Sequence, residues 1–254
     1  KGYLTLEESG TYTVTSEPRT AMTFEYFVEE GSSADYTFDT IAKAVEFAKT
    51  DDIKKIDTLN IKVKGEDVTI GNIPEHEFAV VVESKDTKAI LNANNNSIAN
   101  GKTTYRNIDF GGETLKLGSK PVTLEDTVGI KTSNIDASGA NALINAKLDN
   151  VNIIGKDNIG VTVNNPESKF TVNFATETFT NIKVNVKAAK SVTFAGTPTV
   201  NGDLEIAVPS DLTVEGKAVI EAITAKKKWY IVNKTGDANA IEFTDVAGTY
   251  DYVG

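Results

Sequence analysis

The 254-residue chain contains no cysteine, one histidine, one tryptophan, one methionine and six prolines. Without thiols there is no disulfide, no zinc–thiolate centre and no cysteine nucleophile. The single histidine, His76, leaves no His–His metal pair. No apolar run reaches the roughly 18–20 residues that a bilayer-spanning helix needs, so no transmembrane segment is expected. Basic residues are outnumbered, 26 against 36 acidic ones, for a net charge of −10. That field keeps the chain soluble and argues against nucleic acid as a partner. The one basic run, Lys226-Lys227-Lys228, reads as a solvated turn.

What is present is globular composition: 40% hydrophobic and 24% charged residues, in a length that holds one large β domain or two ordinary ones. Residues 1–34 alternate apolar and polar positions in short pieces and read as an N-terminal arm or edge strands. Next, Ile41, Ala44, Val45 and Ala48 fall at i, i+3, i+4 and i+7, which predicts one amphipathic helix over about 38–50 with Asp39 as N-cap. From Leu59 onward the period is 2, in short Val-, Ile- and Thr-rich runs separated by Gly, Asn, Asp or Pro.

A phrase recurs in these runs: "YRNIDF", "TSNIDA", "LDNVNI" and "FTNIKV", with its asparagines at 107, 134, 150 and 181. The unequal spacing excludes a strict short repeat but agrees with a coiled stack whose loops differ in length. Each asparagine is either a rung of a buried amide ladder or a turn residue. A helix placed just before such a stack has a clear use, since the first turn of a solenoid exposes its core and needs a cap.

The segment "TFDTIAKAVEFA…LNIKVKGEDVTIGNI", residues 37–73, resembles the start of the right-handed parallel β-helix superfamily that includes pectate lyases, pectin esterases and phage tailspikes. The resemblance implies an all-β, single-stranded solenoid over residues 35–254 with an N-terminal capping α-helix. A two-sheet sandwich for the C-terminal half is the structural alternative. The opening "KGYLTLEESGTYTV" is similar to the region that follows the lipid-modified cysteine of Bacteroidetes surface lipoproteins, which implies a lipid anchor upstream of Lys1. The chain's start at a residue other than Met fits a trimmed form of that kind.

Enzymes of the β-helix superfamily use carboxylates on neighbouring turns, a basic residue that is usually arginine, and in lyases a calcium ion. Arginine occurs here only as Arg19 and Arg106. Arg106 and Asp109 are therefore the candidate catalytic residues, although strand parity runs Arg106 with the inward Ile108 and Phe110 and makes a corner position the competing reading. Asp109, Asp126, Asp136, Asp149 and Asp157 are the acids that could stack on successive turns. His76, between Glu75 and Glu77, reads as an exposed turn residue, with a proton shuttle as the alternative. Tyr105, Trp229 and Tyr230 are the candidate ligand-binding rings, because an aromatic face complements the apolar face of a sugar. Tyr250 and Tyr252 read as cover for the last turn.

These observations lead to the expectation of a non-catalytic bacterial protein, extracellular or on the cell surface, that serves adhesion or binds polysaccharide or cell-surface glycan. The alternative is a carbohydrate-active enzyme on the same scaffold, either a polysaccharide lyase or a glycoside hydrolase. No cofactor is expected, with calcium as the one candidate.

Overall fold

The computed structural model describes backbone and side chains for residues 38–50, 56–65, 68–85, 87–139 and 141–209, and the backbone alone for the strands outside those ranges. The chain forms a parallel β-solenoid of about seven turns, with one helix among the described residues, near the N-terminus. Its first face runs through Thr23–Glu29, Thr58–Lys64, Ala79–Ser84, Thr103–Arg106, Pro121–Leu124, Asn141–Ile144, Asp157–Asn164, Thr178–Ala188 and Leu204–Val208, each strand parallel to the next. Trp229–Asn233 and Tyr250–Val253 continue the same face. The C-terminal part thus extends the stack and is not a sandwich.

Alternation explains why these runs become strands with one face inward. In Thr58–Lys64, Leu59, Ile61 and Val63 are fully buried while their neighbours are not. The register then lines up Ile61, Val82, Tyr105, Leu124, Ile144, Val163 and Val186 as one interior column. Partners in this column are 19 to 23 residues apart. Each inward residue therefore packs on its own kind above and below, which builds one continuous core from strands too short to be stable alone.

The cross-section changes along the axis. In the early turns the second face holds Val68–Thr69, Ala89–Asn92, Ile108–Gly111 and Gly129–Ile130. After these it narrows to stacked corners, where Ser168 Oγ accepts from the Leu148 N–H at 2.9 Å and the Lys190 N–H reaches the Ser168 carbonyl at 2.8 Å. The third face, by contrast, starts at Thr114–Lys116 and continues through Asn134–Asp136, Asp149–Ile154, Lys169–Asn173 and Ser191–Ala195. A stack of phenylalanines fills this later part: Phe174 lies 6.4 Å from Phe194 with nearly parallel rings and meets Phe179 edge-on at 6.1 Å.

The helix spans Ile41–Ala48, and Ile41, Ala44, Val45 and Ala48 are buried as the periodicity requires. Its N-cap is Thr40 and not Asp39. Thr40 has extended backbone and its Oγ1 accepts from the Lys43 N–H at 3.2 Å, which leaves Asp39 to pair with Lys43 Nζ at 2.6 Å. Thr40 bridges to Thr69 and the Ala42 N–H donates to the Ile70 carbonyl at 2.9 Å, so the helix is hydrogen-bonded to the first strand of the second face and closes that end of the core.

The recurring asparagine phrase is not one repeated rung. Asn107 and Asn150 have left-handed backbone, φ 51° and 56°, and act as corner residues. Asn134 and Asn181 do form amide contacts, but with Asn152 at 3.3 Å and Asn158 at 3.1 Å, neither of which is one of the asparagines at 107, 134, 150 and 181. The copies are not equivalent positions of one face: YRNIDF spans the corner between the first and second faces, TSNIDA and LDNVNI lie on the third, and FTNIKV lies on the first, which accounts for their unequal spacing.

Candidate functional site

Arg106 ends the strand Thr103–Arg106, and the corner at Asn107 resets the alternation before Ile108–Gly111 begins. Parity counted back from Ile108 therefore gives the wrong side for two residues. Tyr105 points inward and is fully buried; its hydroxyl donates to the Ile98 carbonyl at 2.6 Å and its ring meets Phe110 edge-on at 5.0 Å. Burial pushes its phenol above the ordinary range. Expected as a ligand-facing ring, Tyr105 is instead a core residue with no ring face at the surface.

Arg106 points outward and is ion-paired with Glu83, which is paired on its other side with Lys62. The three occupy successive turns in register, so Glu83 sits between two cations. Hydrogen bonding from Arg106, helped by Lys62 and opposed by burial, holds the Glu83 carboxyl below its ordinary value. Asp109 repeats the device on the second face. Lys88 Nζ lies 2.6 Å and Lys131 Nζ 2.5 Å from its two carboxylate oxygens. Burial alone would raise Asp109, but the two lysines outweigh it and keep it ionised and low. Gly129, its partner on the next turn, makes room for this: a Cβ there would collide with Asp109 Oδ1. Arg106 and Asp109 thus belong to separate ion ladders on two faces. Asp136, Asp149 and Asp157 do not stack on one another either: Asp136 has Lys116 and Ile154 as rung partners, Asp149 has Lys169, and Asp157 has Phe179.

His76 is buried, not an exposed turn residue. Its Nδ1 donates to the Phe78 carbonyl at 2.8 Å, and the ring stacks on Phe78 at 4.9 Å and covers Gly101, where a Cβ would collide with it. Nε2 is buried without a partner, which fixes the neutral tautomer. Burial lowers its pKa; the Phe78 carbonyl opposes this in part and the Lys49 charge adds to it. Enclosed in this way, His76 offers no proton to a substrate. Trp229 and Tyr230 lie on a strand in register with Leu204 and Glu205, but their side chains fall outside the described residues, as do those of Arg19, Tyr250, Tyr252 and the lysine run. Among the described residues no three His, Asp or Glu side chains converge on one point.

The surface feature that stands out lies elsewhere, on the outer side of the first face. Gly160 is an outward position, flanked in its strand by the buried Ile159 and Val161, and in register with Lys183 on the next turn. Its missing side chain opens a groove of about 350 Å³, walled by Asn141, Asn158, Thr162, Asn181 and Lys183. This volume falls in the range of small-ligand pockets, roughly 300–1,000 Å³. Asn181 Nδ2 donates to Asn158 Oδ1 at 3.1 Å, and Asn181 Oδ1 accepts from the Asp203 N–H at 3.0 Å, so the amides are held in fixed orientation. Lys183 pairs with Glu205 at 3.3 Å. Gly139, Ile159 and Val161 also line the groove, and its polar groups are amides, a hydroxyl and one ammonium, the groups that hydrogen-bond polyols. The available signal in the sequence was the glycine inside "NIGVTVN", since glycine weakens a strand interior and marks close approach by another molecule.

No protein-family model, curated protein or solved structure matches this chain.

Proposed function

We propose that the protein is a non-catalytic glycan-binding or adhesive solenoid of the pectate-lyase-like β-helix type, displayed on a bacterial surface or secreted, with a lipid anchor upstream of Lys1 as the means of display. The observation that carries this reading is the Gly160 groove. Gly160 lies outside the positive-φ glycines of the described residues, so its backbone would accept any side chain, and a β-branched residue would strengthen the strand. A glycine at that point favours a ligand over the fold. Support also comes from the candidate catalytic residues, because Arg106 and Asp109 are each engaged in ion pairs that stabilise the stack.

The test is a glycan-array screen run beside reducing-sugar and unsaturated-product assays on pooled polysaccharides, with and without calcium. Binding without turnover is expected, abolished by Gly160→Leu, with the melting temperature of the variant unchanged or higher. Product formation that disappears in Arg106→Ala or Asp109→Asn would overturn the reading in favour of a lyase or hydrolase.

A further inference from the structure

We infer that the corner at residues 155–158 separates two sugar subsites, and that the ligand spanning them is a neutral oligosaccharide of at least two units. This rests on the glycan-binding reading of the Gly160 groove and adds a second site on the far side of the same corner. There, against the outer surface of the third face, lies a cavity of about 190 Å³ to which three successive turns contribute Asp136, Ile154 with Lys156, and Asn173 with Glu177. The same three turns wall the groove. Asp136 leads through Ala137 and Ser138 to Gly139, and Lys156 leads through Asp157 to Asn158. The two depressions are neighbours across a single ridge.

That ridge is rigid. Asp157 has φ 61°, and the Asn158 N–H donates to the Lys156 carbonyl at 2.6 Å, which closes a three-residue turn of the strained form. Ser138 ties it down, its Oγ accepting from the Lys156 N–H at 2.8 Å and donating to Asp136 Oδ1 at 2.5 Å. Asp136 Oδ1 also accepts from the Ser138 N–H at 3.0 Å. The Asp136 carboxylate is thereby held in one orientation at the edge of the cavity.

The chemistry of the cavity selects its occupant. Charge-assisted hydrogen bonds from sugar hydroxyls to the carboxylates of Asp136 and Glu177 are strong and directional, while the half-exposed Ile154 offers apolar surface to the C–H face of a ring. Two carboxylates against one lysine leave the cavity acidic, in a chain of net charge −10. A uronate or sulfated sugar would place an anion against them, and like-charge juxtaposition is the usual means of excluding a wrong ligand. In the groove Lys183 is already paired with Glu205, so it does little to recruit an anion.

Titration calorimetry with mannan, xylan and β-glucan fragments of one to six units, beside oligogalacturonate fragments, tests this. The favoured neutral series should gain at least tenfold in affinity between the single unit and the trimer. Asp136→Asn with Glu177→Gln should erase that gain and strengthen oligogalacturonate binding. The asparagine keeps an acceptor for Ser138, and thermal unfolding verifies that the fold is intact. A gain that survives the double variant while Gly160→Leu abolishes binding would remove the second subsite and leave the groove standing. Tighter binding of acidic than neutral fragments by the unaltered protein would overturn the neutral-ligand assignment. If no fragment of either class binds, the groove reading falls and the second subsite with it.

Discussion

On the first face, Lys62, Glu83 and Arg106 form a row of alternating charge in the early turns, and the same row continues through Glu125 into asparagine. Asn145 Nδ2 donates to Glu125 Oε2 at 3.3 Å, and Asn164 Nδ2 donates to Asn145 Oδ1 at 3.2 Å. Asn134–Asn152 and Asn158–Asn181 repeat the amide pairing in the later turns, whereas the early second face has the Lys88–Asp109–Lys131 ladder. Stacked turns bring like positions roughly 4.8 Å apart, so whatever faces outward must tolerate a neighbour directly above and below it. Alternating charges meet that demand only when the signs alternate without error. An amide is both donor and acceptor and can stack on itself indefinitely. The charge ladders of the early turns are therefore sensitive to salt and pH, and the amide ladders of the later turns are indifferent to both.

The interiors differ as well, and the largest expected effect tests them. Phe174→Ala should remove the centre of the phenylalanine stack and cost about 3–5 kcal/mol, measured by urea denaturation. In the early turns the corresponding anchor is polar at its tip. Tyr105→Phe should cost about 1–3 kcal/mol by leaving the buried Ile98 carbonyl without its donor. Equal losses from both substitutions would contradict the distinction.

The surface ladders should separate by salt. Glu83→Gln leaves Lys62 and Arg106 on either side of a neutral residue, and a loss of roughly 1 kcal/mol is expected at low ionic strength, shrinking in 1 M salt. Asn145→Ala should cost only about 0.5 kcal/mol, with no dependence on salt. A salt-independent Glu83→Gln would mean that the row is held by packing alone.

Acid should act in two stages. His76 has a folded pKa below its ordinary 6.5, so the neutral form is favoured in the fold; its contribution is complete above that value and declines as pH falls toward the folded pKa, while the unfolded chain takes up the proton. Glu83 and Asp109 are likewise depressed, below ordinary values of 4.5 and 3.8. Their contribution is present above those values and is lost as pH falls through the lower folded ones. Unfolding followed against pH should show His76→Gln flattening the upper stage and Glu83→Gln weakening the lower. An unchanged upper stage in His76→Gln would show that another group titrates there.

Much of the scaffold was legible from local pattern. The helix appeared in the spacing of Ile41, Ala44, Val45 and Ala48, and the strands in their alternation, because both periods are properties of the backbone alone. The site was not legible in the same way. Tyr105 and Arg106 were assigned to the wrong sides because Asn107, in left-handed conformation, interrupts the alternation between two strands that look continuous in sequence. His76 looked exposed between two glutamates, and only the next turn, with Gly101 under the ring, encloses it.

By itself the sequence determined an acidic, thiol-free chain of short alternating strands behind one capping helix, because composition and period are set residue by residue. Only the tertiary structure decided which side chains meet. Partners of the interior column sit 19 to 23 residues apart across corners of unequal length, and a single left-handed residue at a corner changes which side the residues after it present. The pairing of Asp109 with Lys88 and Lys131, and the open space over Gly160 between Asn141 and Lys183, are consequences of that register.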